Sequence, residues 1–117
     1  MPRDEATLLD IVHAAELARI FVEGMDKDAF MDDSKTQSAV TYQLTVVGEA
    51  TKRLSDEFRD QHPEVPWRLM AGMRDQLIHE YDIVDLDEVW KAVDHDLPDL
   101  LEKLETLLPL KKRDEES

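Results

Sequence analysis

Three residues of this chain have the types and spacing to do chemistry together: Arg74, His79 and Tyr81, within Arg74-Asp75-Gln76-Leu77-Ile78-His79-Glu80-Tyr81. Arginine is a permanently charged planar fork suited to phosphate, and histidine exchanges protons near neutral pH. Together they suit phosphoryl chemistry. Cleavage of RNA by its own 2′-hydroxyl needs one base and one acid, plus a cation for the crowded phosphate of the transition state. On a continuous helix Tyr81 falls about 20° from Arg74, two turns along the same stripe, whereas His79 falls about 140° away. Convergence then requires either that the helix fray near Tyr81 or that a second subunit pack across a two-fold axis and bring its own His79. By themselves the three residues fit a purely structural role equally well.

Other chemistries find less support. The chain has no cysteine, which removes disulfides and thiolate ligands and suits a reducing compartment. Asp26, Asp28 and Asp32 suggest a calcium loop, but the sixth position from Asp26 is Met31 instead of glycine and the twelfth is Gln37 instead of glutamate. Glycines at 24, 48 and 72 alone make neither a phosphate-cradling loop nor a dinucleotide fingerprint. His13, His62 and His95 are scattered, so no metal site is expected, and Met70 and Met73 beside Trp67 read as core filling. A net charge of −14 opposes general binding to polyanions, DNA included. Much of the excess is local, because Asp82 to Glu102 holds eight acidic residues against Lys91 alone. The Trp67–Tyr81 stretch is balanced instead, Arg68 and Arg74 standing against Asp75 and Glu80.

The elements that must carry these residues are helices. Leu8, Ile11, Val12, Ala15, Ala18 and Val22 keep the spacing of an amphipathic helix, with Gly24 as its stop. After a connection around Phe30, Val40, Leu44, Val47, Thr51, Leu54 and Phe58 predict one long helix from about Asp33 to Arg59. Gly48 in its middle costs roughly 1 kcal/mol relative to alanine, which close approach of another helix would explain. Pro66 then starts a third helix, whose stripe of Trp67, Met70, Leu77 and Tyr81 carries the Arg74 constellation. Asp85 caps a last helix, Leu86 to Leu108, which Pro98 should kink. The expected fold is all-α, an up-and-down bundle of four to five helices in one domain over residues 1–108. Residues 109–117 form a charged tail in which Lys111, Lys112 and Arg113 are offset by Asp114, Glu115 and Glu116. No export signal or membrane-spanning run is present in the sequence, so a cytoplasmic location is expected.

The run His62-Pro-Glu-Val-Pro-Trp67, followed by Gly72-Met-Arg-Asp-Gln-Leu-Ile-His-Glu-Tyr81, Val84-Asp-Leu-Asp-Glu-Val-Trp90 and Asp96-Leu-Pro-Asp-Leu-Leu101, resembles the HepT family of HEPN-fold toxins. Val47-Gly48-Glu49-Ala50 and the acidic turn with Phe30 extend the resemblance over nearly the whole chain. The resemblance implies a homodimeric, HEPN-like toxin of a type VII-like toxin–antitoxin pair, a metal-independent endoribonuclease that needs no cofactor and acts on RNA such as tRNA. It also implies an MntA-like nucleotidyltransferase antitoxin as partner. Carried over by position, Arg74 and His79 would be catalytic, and Tyr81 would be the hydroxyl silenced by AMPylation. Asp75 departs from the polar amide frequent after the motif arginine, and its carboxylate would support or compete with Arg74. The competing expectation is a non-catalytic helical dimer that serves as binding partner or substrate of a nucleotidyltransferase.

Overall fold

Gly24 ends the first helix as expected, at a φ of 76° that a glycine adopts without a side-chain clash. The computed structural model describes residues 2–108, and the charged tail predicted for 109–117, with its lysine–arginine cluster, lies outside them. The first helix, α1, spans Pro2–Phe21. A single turn, α2 (Lys27–Met31), leads into α3 (Ser34–Lys52). Next come α4 (Asp56–Gln61), α5 (Trp67–Ala71) and α6 (Met73–Leu77). Then α7 (Leu86–Lys91) runs through a wide π turn at Ala92–Asp96 into α8 (Leu97–Glu105). Among the described residues there is no β-strand, only one isolated antiparallel bridge between Ile78 and Val84. The chain is therefore all-α, built on four principal layers: α1, α3, the α5–α6 pair and the α7–α8 pair.

Side-chain caps set the starts of α2, α3, α4 and α7. The carboxylates of Asp26, Asp33 and Asp85 and the hydroxyl of Ser55 each accept from the backbone N–H three residues on, satisfying a donor the first turn leaves free. Ser55 corrects one expectation. The helix predicted over Asp33–Arg59 is two, because α3 stops at Lys52 and Ser55 starts α4 afresh. Asp4, buried on α1, fixes this break from outside: its two carboxylate oxygens accept from the Ser55 backbone N–H at 2.9 Å and from the Ser55 hydroxyl at 2.7 Å. Those bonds stabilise the charged form and hold the Asp4 carboxyl below the ordinary aspartate range.

Pro98 acts through the wide turn. The Leu97 N–H reaches back to the Ala92 carbonyl and bypasses that of Val93, so Pro98 enters the first turn of α8, where its missing N–H costs least. The bypassed Val93 carbonyl accepts from the Arg19 guanidinium of α1 at 3.0 Å. A buried backbone acceptor is thereby satisfied from a different layer.

The core follows the predicted stripes except at Tyr81, which is exposed. Leu8, Ile11, Val12, Ala15 and Ala18 of α1 pack with Val40, Leu44 and Val47 of α3, with Met70, Met73 and Leu77, and with Val93, Leu97, Leu100 and Leu104. Met70 and Met73 are core filling, as expected. Phe30 is fully buried and its ring packs tilted against Trp90, centroids 5.3 Å apart, joining α2 to α7. Gly48 lies where α3 meets the α5–α6 junction, and a β-carbon there would stand 3.1 Å from the Met70 carbonyl oxygen and 3.6 Å from the Arg74 backbone nitrogen. The missing side chain lets α3 support the backbone that carries Arg74.

Candidate active site

Arg74 is the second residue of α6, a short helix offset from α5 at Gly72. The helix predicted to run on to Tyr81 ends at Leu77. Ile78 is already extended, at φ −120° and ψ 115°, and the chain doubles back through a tight turn to Asp85. Four backbone bonds define this excursion. The Asp85 N–H donates to the Leu77 carbonyl and the His79 N–H to the Ile83 carbonyl, both at 2.8 Å; Asp82 donates to His79 at 3.1 Å and Ile83 to Glu80 at 3.5 Å. Tyr81 (φ 63°) and Asp82 (φ 58°) are its two central residues, both left-handed, which is the pattern of a type I′ turn. Such turns favour Asn-Gly, so Tyr-Asp carries backbone strain of about 1–2 kcal/mol per residue before local compensation. The wheel geometry of a continuous helix therefore does not apply to His79 or Tyr81.

The turn gathers the predicted residues around two carboxylates. Arg74 approaches Asp82 with Nη2 to Oδ1 at 3.9 Å, while the Asp82 N–H is bonded to the His79 carbonyl. His79 in turn contacts Asp85, Nε2 to Oδ2 at 3.2 Å. Tyr81 stands at the apex, 94% exposed, and its neighbour Ile83 is also exposed. Arg74 and His79 keep about half of their side-chain surface open, 45% and 53%. Both are available to a ligand.

Asp85 has both carboxylate oxygens engaged. Its Oδ1 accepts from the Glu88 N–H at 3.2 Å, capping α7, while its Oδ2 faces His79. The capping bond first, and the His79 contact second, hold its carboxyl below the ordinary aspartate range. Gln76 of α6 donates to the Glu88 carboxylate at 2.9 Å, tying the helix of Arg74 to the helix that Asp85 caps. Asp75 is exposed and has no hydrogen bond or ion pair with any described residue; the carboxylate nearest Arg74 is that of Asp82. To the charges of Trp67–Tyr81 the fold adds two carboxylates, Asp82 beside Arg74 and Asp85 beside His79. Among the described residues no three His, Asp or Glu side chains cluster as metal ligands, and no helix is long and apolar enough to cross a membrane.

A family model described as ribonuclease HepT-like matches residues 11–107, and so takes in α3, the Arg74 helix, the turn and both later helices. The chain belongs to the HepT-like ribonuclease family. A relative from Thermococcus cleftensis named "Probable ribonuclease HepT" is 46% identical over 100 residues, which cover 86% of this chain and 91% of the relative. A Methanocaldococcus jannaschii protein whose RNase name is itself inferred is 36% identical over 110 residues, 92% of this chain and 91% of its own. Another such protein, from Caldanaerobacter subterraneus subsp. tengcongensis, is 37% identical over 91 residues, 78% and 81% of the two chains. No solved structure gives a significant match. Two residues of this HepT-like site escape sequence reasoning. Asp85 is legible as a helix cap but not as the partner of His79, and Asp82 reads as one more member of an acidic run.

Proposed function

We propose that this HepT-like chain is a metal-independent endoribonuclease, with Arg74 and His79 catalytic, and the toxin of a toxin–antitoxin pair. The observation that carries the reading is the turn itself: Asp82 donates its N–H to the His79 carbonyl and turns its carboxylate to Arg74, so one residue of the turn meets both, and the Arg74 and His79 side chains are each about half exposed. The RNase names of the relatives agree with its ribonuclease part. An RNA phosphate would displace Asp82 from Arg74. That contact is long and well exposed, and pairs of this kind contribute only about 0–1 kcal/mol.

In the reaction a neutral His79 imidazole takes the 2′-hydroxyl proton as the 2′-oxygen bonds to phosphorus. The P–O5′ bond breaks, and the departing 5′-oxygen receives a proton from an imidazolium. Arg74 stabilises the charge on the non-bridging oxygens. The products are a 2′,3′-cyclic phosphate and a 5′-hydroxyl, and no metal is required for the balance. One His79 serves as base and the partner subunit's His79 as acid, which makes the homodimer the active form.

Tyr81 is the proposed modification site, because its apical position lets a nucleotidyltransferase antitoxin reach the hydroxyl without unfolding the chain. AMP added there places bulk and negative charge beside Arg74, where the RNA phosphate would bind. The same exposure favours the second reading, in which the chain is a non-catalytic partner or substrate of that enzyme. The deciding experiment is cleavage of total tRNA by the purified chain in EDTA, beside His79→Ala, Arg74→Ala and Tyr81→Phe. The expected result is cyclic-phosphate ends from wild type and Tyr81→Phe only, with both alanine variants folded. Equal products from His79→Ala would remove His79 from the chemistry, and none from any protein would favour the second reading.

A further inference from the structure

The two oxygens of Asp85 have different partners, and the difference bears on which nitrogen of His79 carries the proton. Oδ1 accepts from the Glu88 N–H and Oδ2 lies 3.2 Å from His79 Nε2. The Asp85 backbone is pinned as well, its N–H donating to the Leu77 carbonyl, so the carboxylate cannot swing away from His79 without releasing the cap of α7. A carboxylate has no proton to give, and a hydrogen bond between it and Nε2 therefore requires the proton to sit on Nε2. Nδ1 is then the bare nitrogen of the neutral ring. His79 is itself held at the base of the hairpin by its backbone N–H, which donates to Ile83.

From this geometry we infer that Asp85 is a positioning residue that locks neutral His79 as the Nε2–H tautomer and makes Nδ1 the nitrogen that takes the 2′-hydroxyl proton. The inference rests on the ribonuclease reading for its kinetic consequence, but the tautomer is a property of the free protein. When Nδ1 is protonated in turn, the carboxylate offsets the positive charge through Nε2, as second partners of catalytic and metal-bound histidines do.

Asp85→Asn makes a sharp test because the cap dictates how the amide must face. With its Oδ1 kept on the Glu88 N–H, the amide NH2 of asparagine faces Nε2 and donates to it. The ring must then carry its proton on Nδ1, which can no longer act as base. Asparagine caps helices as well as aspartate does, so the fold is preserved. Asp85→Ser also retains a cap but withdraws any partner from His79.

The measurement is two-dimensional 1H–15N long-range NMR of the imidazole nitrogens at alkaline pH, with single-turnover RNA cleavage and thermal melting on the same samples. Wild type should show the Nε2–H pattern, Asp85→Asn the Nδ1–H pattern, and Asp85→Ser a mixture. Cleavage should fall about 100-fold or more in Asp85→Asn and about 10-fold in Asp85→Ser, while the melting temperatures stay close to wild type. An Nδ1–H wild-type ring, or an unchanged pattern in Asp85→Asn, overturns the role of Asp85. A reversed tautomer with undiminished cleavage overturns Nδ1 as the base. If wild type cleaves no RNA, the ribonuclease reading fails, whereas the NMR pattern still decides whether Asp85 orients His79.

Discussion

Replacing Asp82 by glycine should raise stability although it deletes one partner of an ion pair, and the size of the gain follows from the turn. Asp82 sits at a φ of 58°, in a conformation that costs an L-residue about 1–2 kcal/mol and a glycine almost nothing. Its carboxylate returns little, because the contact with Arg74 is 3.9 Å long and the Asp82 side chain is 88% exposed. Asp82→Ala and Asp82→Gly lose the same charge, so their difference isolates the backbone. Aspartate tolerates the left-handed region better than alanine does, and the wild type should therefore lie between the two. Alanine should be less stable than glycine by about 1 kcal/mol, corresponding to about 4 °C in melting temperature for a chain of this size. With a urea slope of about 1.5 kcal/mol per molar the midpoints should separate by roughly 0.7 M. Urea unfolding followed by circular dichroism reads this directly. Coincident midpoints with equal slopes would mean that Tyr81 and Asp82 do not occupy the strained turn, and the description of the site would fall with it.

The junction beneath Arg74 and the acidic caps give two further expectations. Gly48→Val should cost about 2 kcal/mol and displace the Arg74 backbone amide resonance, because even a β-carbon would stand 3.1 Å from the Met70 carbonyl; a variant as stable as wild type would exclude the close approach. The Asp4, Asp33 and Asp85 carboxyls are held below their ordinary values by hydrogen bonds, so their contribution is complete above the unfolded-state value near about pH 4 and is lost as pH falls through the lower folded-state values. Thermal melts between neutral and acidic pH should therefore decline below about pH 4 in wild type and less steeply in Asp4→Asn, and identical slopes would remove Asp4 from the account.

The helical layers could be read from spacing because each buries a single stripe, and Leu8 to Val22 and Val40 to Thr51 obey that rule in the structure. Gly48 was legible for the same reason: an unfavourable residue in a strong helix pattern signals a neighbour that needs the space. The break at Ser55 was present in the sequence as a capping residue followed by Asp56 and Glu57, a combination typical of a helix start. Leu54 and Phe58 concealed it, since both continue the apolar stripe of α3 in phase. The turn at Tyr81 left a weaker trace. Leu77 prolongs the helical stripe and is buried, and Tyr-Asp lacks the glycine or asparagine that ordinarily announces a type I′ turn. Here the bonds from His79 to Ile83 and from Asp85 to Leu77 override local preference, and such an override depends on how α7 docks against α6, which no local pattern contains.

That override also decides what the proposed site can do. On an uninterrupted helix, five residues separate Arg74 from His79 by about 140°, and a phosphate held by one would face away from the other. Ending the helix at Leu77 removes this restriction. The hairpin returns Asp82 to the Arg74 side chain while its backbone N–H stays on the His79 carbonyl, so a single residue links the positions of cation and imidazole. The strain at Tyr81 and Asp82 then has a physical reason: a relaxed turn with its apex elsewhere would leave Arg74 on α6 with no tie to His79. Tyr81, next to Asp82 in the same turn, stands exposed at its apex. The exposure that makes its hydroxyl reachable and the strain that holds its backbone thus have one origin, the short return path from Leu77 to Asp85.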